Sequence, residues 1–184
     1  MSQANPGTAV AASRAAVESA SGQTQQYLTF VLSGEMFAIG ILSIKEILEY
    51  APPTAVPMTP EFMRGVINLR GAVVPVLDLS VRFGKSPSPV TRRSCIVIIE
   101  ADIANERMDI GIVVDTVNAV LDIPPADIEP PPTFGARIRT DFIKGMGKVN
   151  GKFVILLDVI QALAMEEVLA LAEARDSAAA AAAG

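Results

Sequence analysis

The run GMGKVNGKF, Gly145 to Phe153, sets glycines and lysines where a phosphate-binding loop could form. That chemistry needs four residues between the loop glycines and a Ser or Thr after the lysine, so that backbone N–H groups cradle phosphate and a hydroxyl reaches magnesium. Here five residues separate Gly145 from Gly151, and Phe153 follows Lys152. The loop fails on both counts. The chain has no histidine, so Ser-His-Asp and Cys-His nucleophile systems and histidine zinc sites cannot be built. Asp109, Asp115, Asp122 and Asp127 lack calcium-loop spacing. Asp78 and Asp158 each close an apolar run and are expected to cap the turn that follows. Cys95 is the lone cysteine. It can form no internal disulfide and is expected as a small core residue in a reducing compartment. No catalytic set, metal site or cofactor is expected. An interaction module working through exposed grooves and placed charges becomes the leading class.

The composition sets further bounds. The 184 residues are 51% hydrophobic, enough for one ordinary domain or two small packed units. No apolar run approaches the ~20 residues of a membrane span, and residues 1–26 carry neither the basic nor the apolar region of a secretory signal. A cytoplasmic location without membrane insertion is the expectation. The net charge of −5, with only Arg92 and Arg93 adjacent among the basic residues, offers nucleic acid no basic face.

The chemistry-bearing positions must be held by strands. Residues 1–25 read as a disordered tail rich in Ala, Ser, Gln and Thr. YLTFVLSGEMFAIGIL, from Tyr27, is a hairpin about Ser33-Gly34. SIKEILEY is a short strand or a helical turn, and Pro52, Pro53, Pro57 and Pro60 form a connector. A second block follows, in which Ser94 to Ile99 reads as a strand buried on both faces. It ends in the proline-rich PPADIEPPPTFG. After Asp158 the period becomes helical, predicting a C-terminal helix over 159–176 that packs on the strands, with an Ala-rich tail at 177–184.

A repeat organises these elements. At an offset of 80, Phe62 meets Phe142, Gly65 meets Gly145, Gly71 meets Gly151, Val74 meets Val154 and Asp78 meets Asp158. Ile39-Gly40-Ile41 corresponds less closely to Ile110-Gly111-Ile112. Two copies of a small all-β unit are therefore expected, over 26–90 and 91–158, each a curled sheet or barrel. Gly65 and Gly145 are expected to end a short helical turn. Asn150-Gly151 is a strong hairpin signal, and Arg70-Gly71 stands at the same place. The hairpin thus needs no arginine, which leaves solvation or recognition to explain Arg70.

These residues resemble a known family. Val56-Pro57, Pro60, Gly65-Val66, Asn68-Leu69-Arg70-Gly71, Val74-Pro75-Val76 and Asp78-Leu79 look like the signature of CheW-type chemotaxis coupling proteins. Ile44-Lys45-Glu46-Ile47 upstream and Ile110-Gly111-Ile112-Val113-Val114-Asp115 with Val117 downstream extend the match over about 26–171. The resemblance implies two SH3-like five-stranded barrels with a C-terminal helix. It also implies a non-catalytic adaptor joining the cytoplasmic tip of methyl-accepting chemoreceptors to a CheA-type histidine kinase in signalling arrays.

In that family the receptor tip docks in the groove between subdomains, and the kinase regulatory domain pairs with the adaptor barrel to barrel. Carried over, Arg70 and Glu46 take receptor-coupling positions. Ile44, Gly65, Val117 and Val120 line the same groove, and Phe134 takes an aromatic position contacting the kinase. A surface ion pair is the plainer explanation of Glu46 and Arg70, and barrel core that of Ile44, Val117 and Val120. A scaffold of the same fold in a chemosensory-like pathway with a non-motility output is the alternative function.

Overall fold

A computed structural model describes residues 24–103, 105–131, 142–162 and 165–183. Its strands are β1 (Gln25–Leu32), β2 (Glu35–Gly40), β3 (Ile44–Glu49), β4 (Met63–Leu69), β5 (Ala72–Leu77), β6 (Cys95–Ile103), β7 (Glu106–Val114), β8 (Thr116–Ile123), β9 (Ile128–Glu129), β10 (Ile143–Val149) and β11 (Lys152–Leu157). Helix α1 (Leu79–Arg82) is a single turn, and α2 (Met165–Ala183) is the last described element. The all-β class with a C-terminal helix is as expected.

Local turn chemistry makes the hairpins. Ser33-Gly34, Arg70-Gly71 and Asn150-Gly151 all have positive φ at both residues, 53° and 78°, 52° and 87°, 51° and 77°. Two successive left-handed residues give the turn whose twist matches the flanking strands. The repeat is visible in the pairing. Gly65 faces Val76 after a bulge in β4, and Gly145 faces Leu156 after a bulge in β10. The Asp78 and Asp158 amides donate to the Phe62 and Phe142 carbonyls.

The copies do not occupy separate sheets. One sheet runs β8-β1-β2-β11-β10-β9 and the other β3-β6-β7-β5-β4. The expected division at residues 90 and 91 therefore differs from sheet membership. Each sheet takes its first hairpin from one copy and its remaining strands from the other. The stitches are two parallel pairings, β2 with β11 and β7 with β5. They also correct the alignment of the early parts. Gly111 faces Val76 and Ala38 faces Leu156, so Ala38, not Gly40, corresponds to Gly111. The reason is space: a Cβ on Gly111 would lie 2.8 Å from Ile96 and 3.3 Å from Val76.

Among the described residues, three apolar clusters follow from this exchange. The five-stranded sheet curls over Val74, Val76, Ile96, Ile98 and Val113. The six-stranded sheet curls over Tyr27, Ala38, Ile123, Val154 and Leu156. The largest cluster, including Phe30, Phe37, Leu77, Val97, Ile99 and Ile112, joins residues of both sheets. Consecutive residues of β6 thus fall in different clusters, which is why Ile96 to Ile99 read as a continuous apolar run. Phe30, Phe37, Phe83 and Phe142 cross this shared layer as a row of stacked rings, with successive centroids 6.2, 6.2 and 4.5 Å apart.

The helix differs from its expected span. Residues 159–162 form turns, with the Asp158 Oδ1 accepting the Gln161 amide, and α2 begins at Met165 and runs through the alanine tail to Ala183. Ala is the strongest helix former. Ala174 is buried, Ala178 packs on the shared core, and the helix lies on β4 and β5.

Candidate functional site

Arg70 is the first residue of the β4–β5 turn, and its side chain is 78% exposed. Its Nη2 donates to the Glu46 Oε1 at 2.9 Å, forming an ion pair with a carboxylate 27% exposed. The partners lie near opposite edges of the five-stranded sheet, so the contact ties together the edges of a sheet that curls on itself. A bulge brings Glu46 there. Ile44 faces Ile99 and Glu46 faces Ile98, leaving Lys45 as the extra residue. An extra residue reverses the side on which its neighbours point. Ile44 accordingly packs on the shared core, while Leu48 packs inside the five-stranded sheet.

Lys45 is pinned in turn. Its Nζ donates to both Asp109 oxygens, at 2.9 and 3.1 Å, and lies 3.7 Å from Glu100. The Asp109 carboxylate raises the Lys45 ammonium above its usual range. The strand period of SIKEILEY was ambiguous because of this bulge. Its only signal in sequence is two charges in succession where alternation asks for one.

The other expected positions separate by environment. Val117 is half-buried on β8 and packs on the same shared core as Ile44. Val120, on the same edge strand, is 47% exposed. Gly65 is buried within β4 and is not the end of a helical turn. It has φ +144°, and a Cβ there would overlap the Thr54 carbonyl. The Thr54 and Val66 backbones exchange hydrogen bonds across it at 2.8 and 2.9 Å. The glycine lets the proline connector lie directly on β4. Gly145, within β10, serves the equivalent approach of Ile128 and Glu129. Phe134 lies outside the described residues.

Composition and spacing did not reveal two further features. Asp78 does cap α1, its Oδ1 accepting the Ser80 amide at 3.1 Å, but it does more. Fully buried, it also accepts from Arg64 Nε and Nη2 at 3.1 and 2.7 Å and from the Ser88 amide and hydroxyl at 2.8 and 2.9 Å. Arg64 continues to the Ser88 carbonyl at 2.6 Å. Burial pulls the Arg64 guanidinium down, but hydrogen bonds to Asp78 and the Tyr50 hydroxyl outweigh it and leave it raised. This network fastens the 84–90 loop to the β4–β5 hairpin.

The second feature is apolar surface. Leu42 is almost wholly exposed beside a cleft of about 1050 Å³ lined by Tyr27, Gly40, Ile41, Asp122 and Lys144. Cys95 is half-buried rather than fully buried, its thiol donating to the Arg93 carbonyl.

Exposed apolar residues, an exposed ion pair and hairpins braced by buried hydrogen bonds are features that a protein-binding scaffold can use. The comparisons with known proteins agree with that class. The CheW-like domain model matches residues 26–167. Chemotaxis protein CheW of Klebsiella aerogenes is 34% identical over 155 residues, covering 83% of this chain and 91% of the relative. The probable chemotaxis protein CheW of Rhizobium etli is 32% identical over 144 residues, covering 78% and 90%. The crystal structure of the scaffolding protein TtCheW from Thermoanaerobacter tengcongensis is 34% identical with a TM-score of 0.66, covering 74% of this chain and 90% of that one. The chain belongs to the CheW-like domain family and is a non-catalytic scaffolding protein of chemotaxis signal transduction. No described helix is long and apolar enough to cross a membrane.

Proposed function

We propose that this chain is the adaptor that couples transmembrane chemoreceptors to a CheA-type histidine kinase, acting in the cytoplasm at receptor arrays. The observation that carries the proposal is the exposed Arg70–Glu46 pair. The equivalent turn of the second hairpin folds with Asn150, so architecture does not require the arginine. An exposed pair contributes only about 0–1 kcal/mol to stability, so we assign the arginine to recognition, the role the family resemblance implies. Val120 adds exposed apolar surface on β8, and Ile44 and Val117 shape the shared layer beneath. Leu42 and its cleft offer apolar surface of the kind a kinase regulatory domain would cover. Phe134 is assigned to the kinase contact by resemblance alone.

Reconstitution tests this reading. Kinase activity is measured with chemoreceptor-bearing membranes, a CheA-type kinase and titrated adaptor. Arg70→Ala is expected to require about ten times more adaptor for half-maximal stimulation, the loss typical of an interface anchor, with unfolding shifted by no more than about 1 kcal/mol. Normal coupling by Arg70→Ala at matched concentration refutes the role given to that residue.

A further inference from the structure

We infer that Asn68 is the positioning residue of the receptor-coupling arginine, an inference that rests on the adaptor function proposed above. Its side-chain Oδ1 accepts the Gly71 amide at 2.9 Å. That bond spans Leu69 and Arg70 and ties the far side of the turn back to β4.

Comparison of the two hairpins shows why the bond matters. Both turns need a left-handed first residue, at φ 52° for Arg70 and 51° for Asn150. Asparagine tolerates that region, because its short polar side chain bonds the local backbone; arginine has no such aid. In the second hairpin the carboxamide sits in the turn itself. In the first it has moved two residues upstream, to Asn68, while Lys148, the residue equivalent to Asn68 at the offset of 80, carries no acceptor. The displacement frees the turn position for a long cation and still gives the turn an amide acceptor. Arg70 then leaves the backbone from a fixed point, from which Nη2 reaches Glu46 while the guanidinium remains exposed. Asn68 is itself exposed, so its replacement leaves the core intact. Its role is preorganisation: the arginine meets a partner without first being ordered.

The test uses the full chain with Asn68→Ala, Asn68→Asp, Arg70→Ala and the double variant Asn68→Ala/Arg70→Ala. In the isolated protein, hydrogen exchange at the Gly71 amide is expected to accelerate about fivefold in Asn68→Ala, the worth of one net hydrogen bond. Asn68→Asp, which keeps an acceptor, is expected to stay near the parent. In the reconstituted kinase assay, Asn68→Ala is expected to raise the half-maximal adaptor concentration about fivefold. It should add nothing in the Arg70→Ala background, a non-additivity that a merely structural role would not give. Unchanged Gly71 exchange, an Asn68→Asp as impaired as Asn68→Ala, or additive losses in the double variant overturns the inference. If Arg70→Ala couples normally, the adaptor role of Arg70 fails, and the Gly71 exchange still decides whether Asn68 holds the turn. If Arg70→Ala is impaired and Asn68→Ala is not, only the positioning role falls.

Discussion

Replacing Asp78 with alanine contrasts the two copies of the repeat directly. The buried carboxylate accepts from five donors on Arg64, Ser80 and Ser88. Its equivalent, Asp158, is half-buried, and its Oδ1 accepts the Gln161 amide at 3.2 Å. Asp78→Ala leaves Arg64, whose side chain is 19% exposed, without its carboxylate, and strips the Ser80 and Ser88 amides of their acceptor. Breaking a buried ion pair from one side is worth about 3–5 kcal/mol. The freed 84–90 loop admits water and lowers that figure, so about 3–4 kcal/mol is expected. Asp158→Ala loses one turn-capping bond, worth about 1 kcal/mol. With a urea slope of about 2 kcal/mol per molar, the midpoints should fall by roughly 2 M and 0.5 M. Urea unfolding followed by circular dichroism measures both. Equal shifts in the two variants would refute the claim that the Arg64–Asp78–Ser88 network braces the first hairpin beyond a simple cap.

Three further outcomes are expected. Gly65→Ala combines a left-handed backbone with overlap on the Thr54 carbonyl and should destabilise by about 3 kcal/mol or more. Gly71→Ala meets nothing within 4 Å and should lose only about 1 kcal/mol, a ranking that thermal unfolding checks. Residues 24–90 and 91–184, expressed separately, should each remain unfolded by amide NMR dispersion and fold on mixing, because each sheet draws strands from both pieces; an independently folded half would contradict the exchanged sheets. Burial, with Glu49 second, pushes the Cys95 thiol up. The stability linked to this thiol is therefore complete below about pH 8.5, the usual thiol value, and declines as pH rises through the higher native value. Alkylation at pH 8 should be slow in native protein and speed up in urea; equal rates would disprove the shift.

Much of the fold was legible because its signals are local. Ser33-Gly34, Arg70-Gly71 and Asn150-Gly151 mark their hairpins through backbone preferences that involve no distant residue. The repeat located Asp78 and Asp158 at matching turns. Other features were hidden for physical reasons. The bulge at Lys45 spoils the period of β3, and it is set by pairing with β6. Periodicity does not register the turn that Asp158 holds, so it predicts too early a start for α2, and it is blind to an alanine tail that its helix propensity and the packing of Ala178 make helical. Nothing local distinguishes Gly65 and Gly145 from helix-ending glycines, because the approach of Thr54 or of Ile128 and Glu129 depends on a connector folding back. For the site, the charge types at Glu46 and Arg70 pointed to an ion pair, but nothing in their spacing gave the geometry.

Residue types and their spacing are enough to establish the class of the protein: an all-β duplication without histidine, with turn residues at matching places and an arginine where the second copy needs none. Those facts depend on residue identity and short-range sterics. Long-range pairing sets the rest: the copies exchange hairpins, the largest core is shared between sheets, and Asp78 anchors a loop while Asp158 caps a turn. Parallel pairings such as β5 with β7 join segments more than thirty residues apart. Such contacts are chosen by the total apolar surface they bury, and no local stretch of chain carries that information.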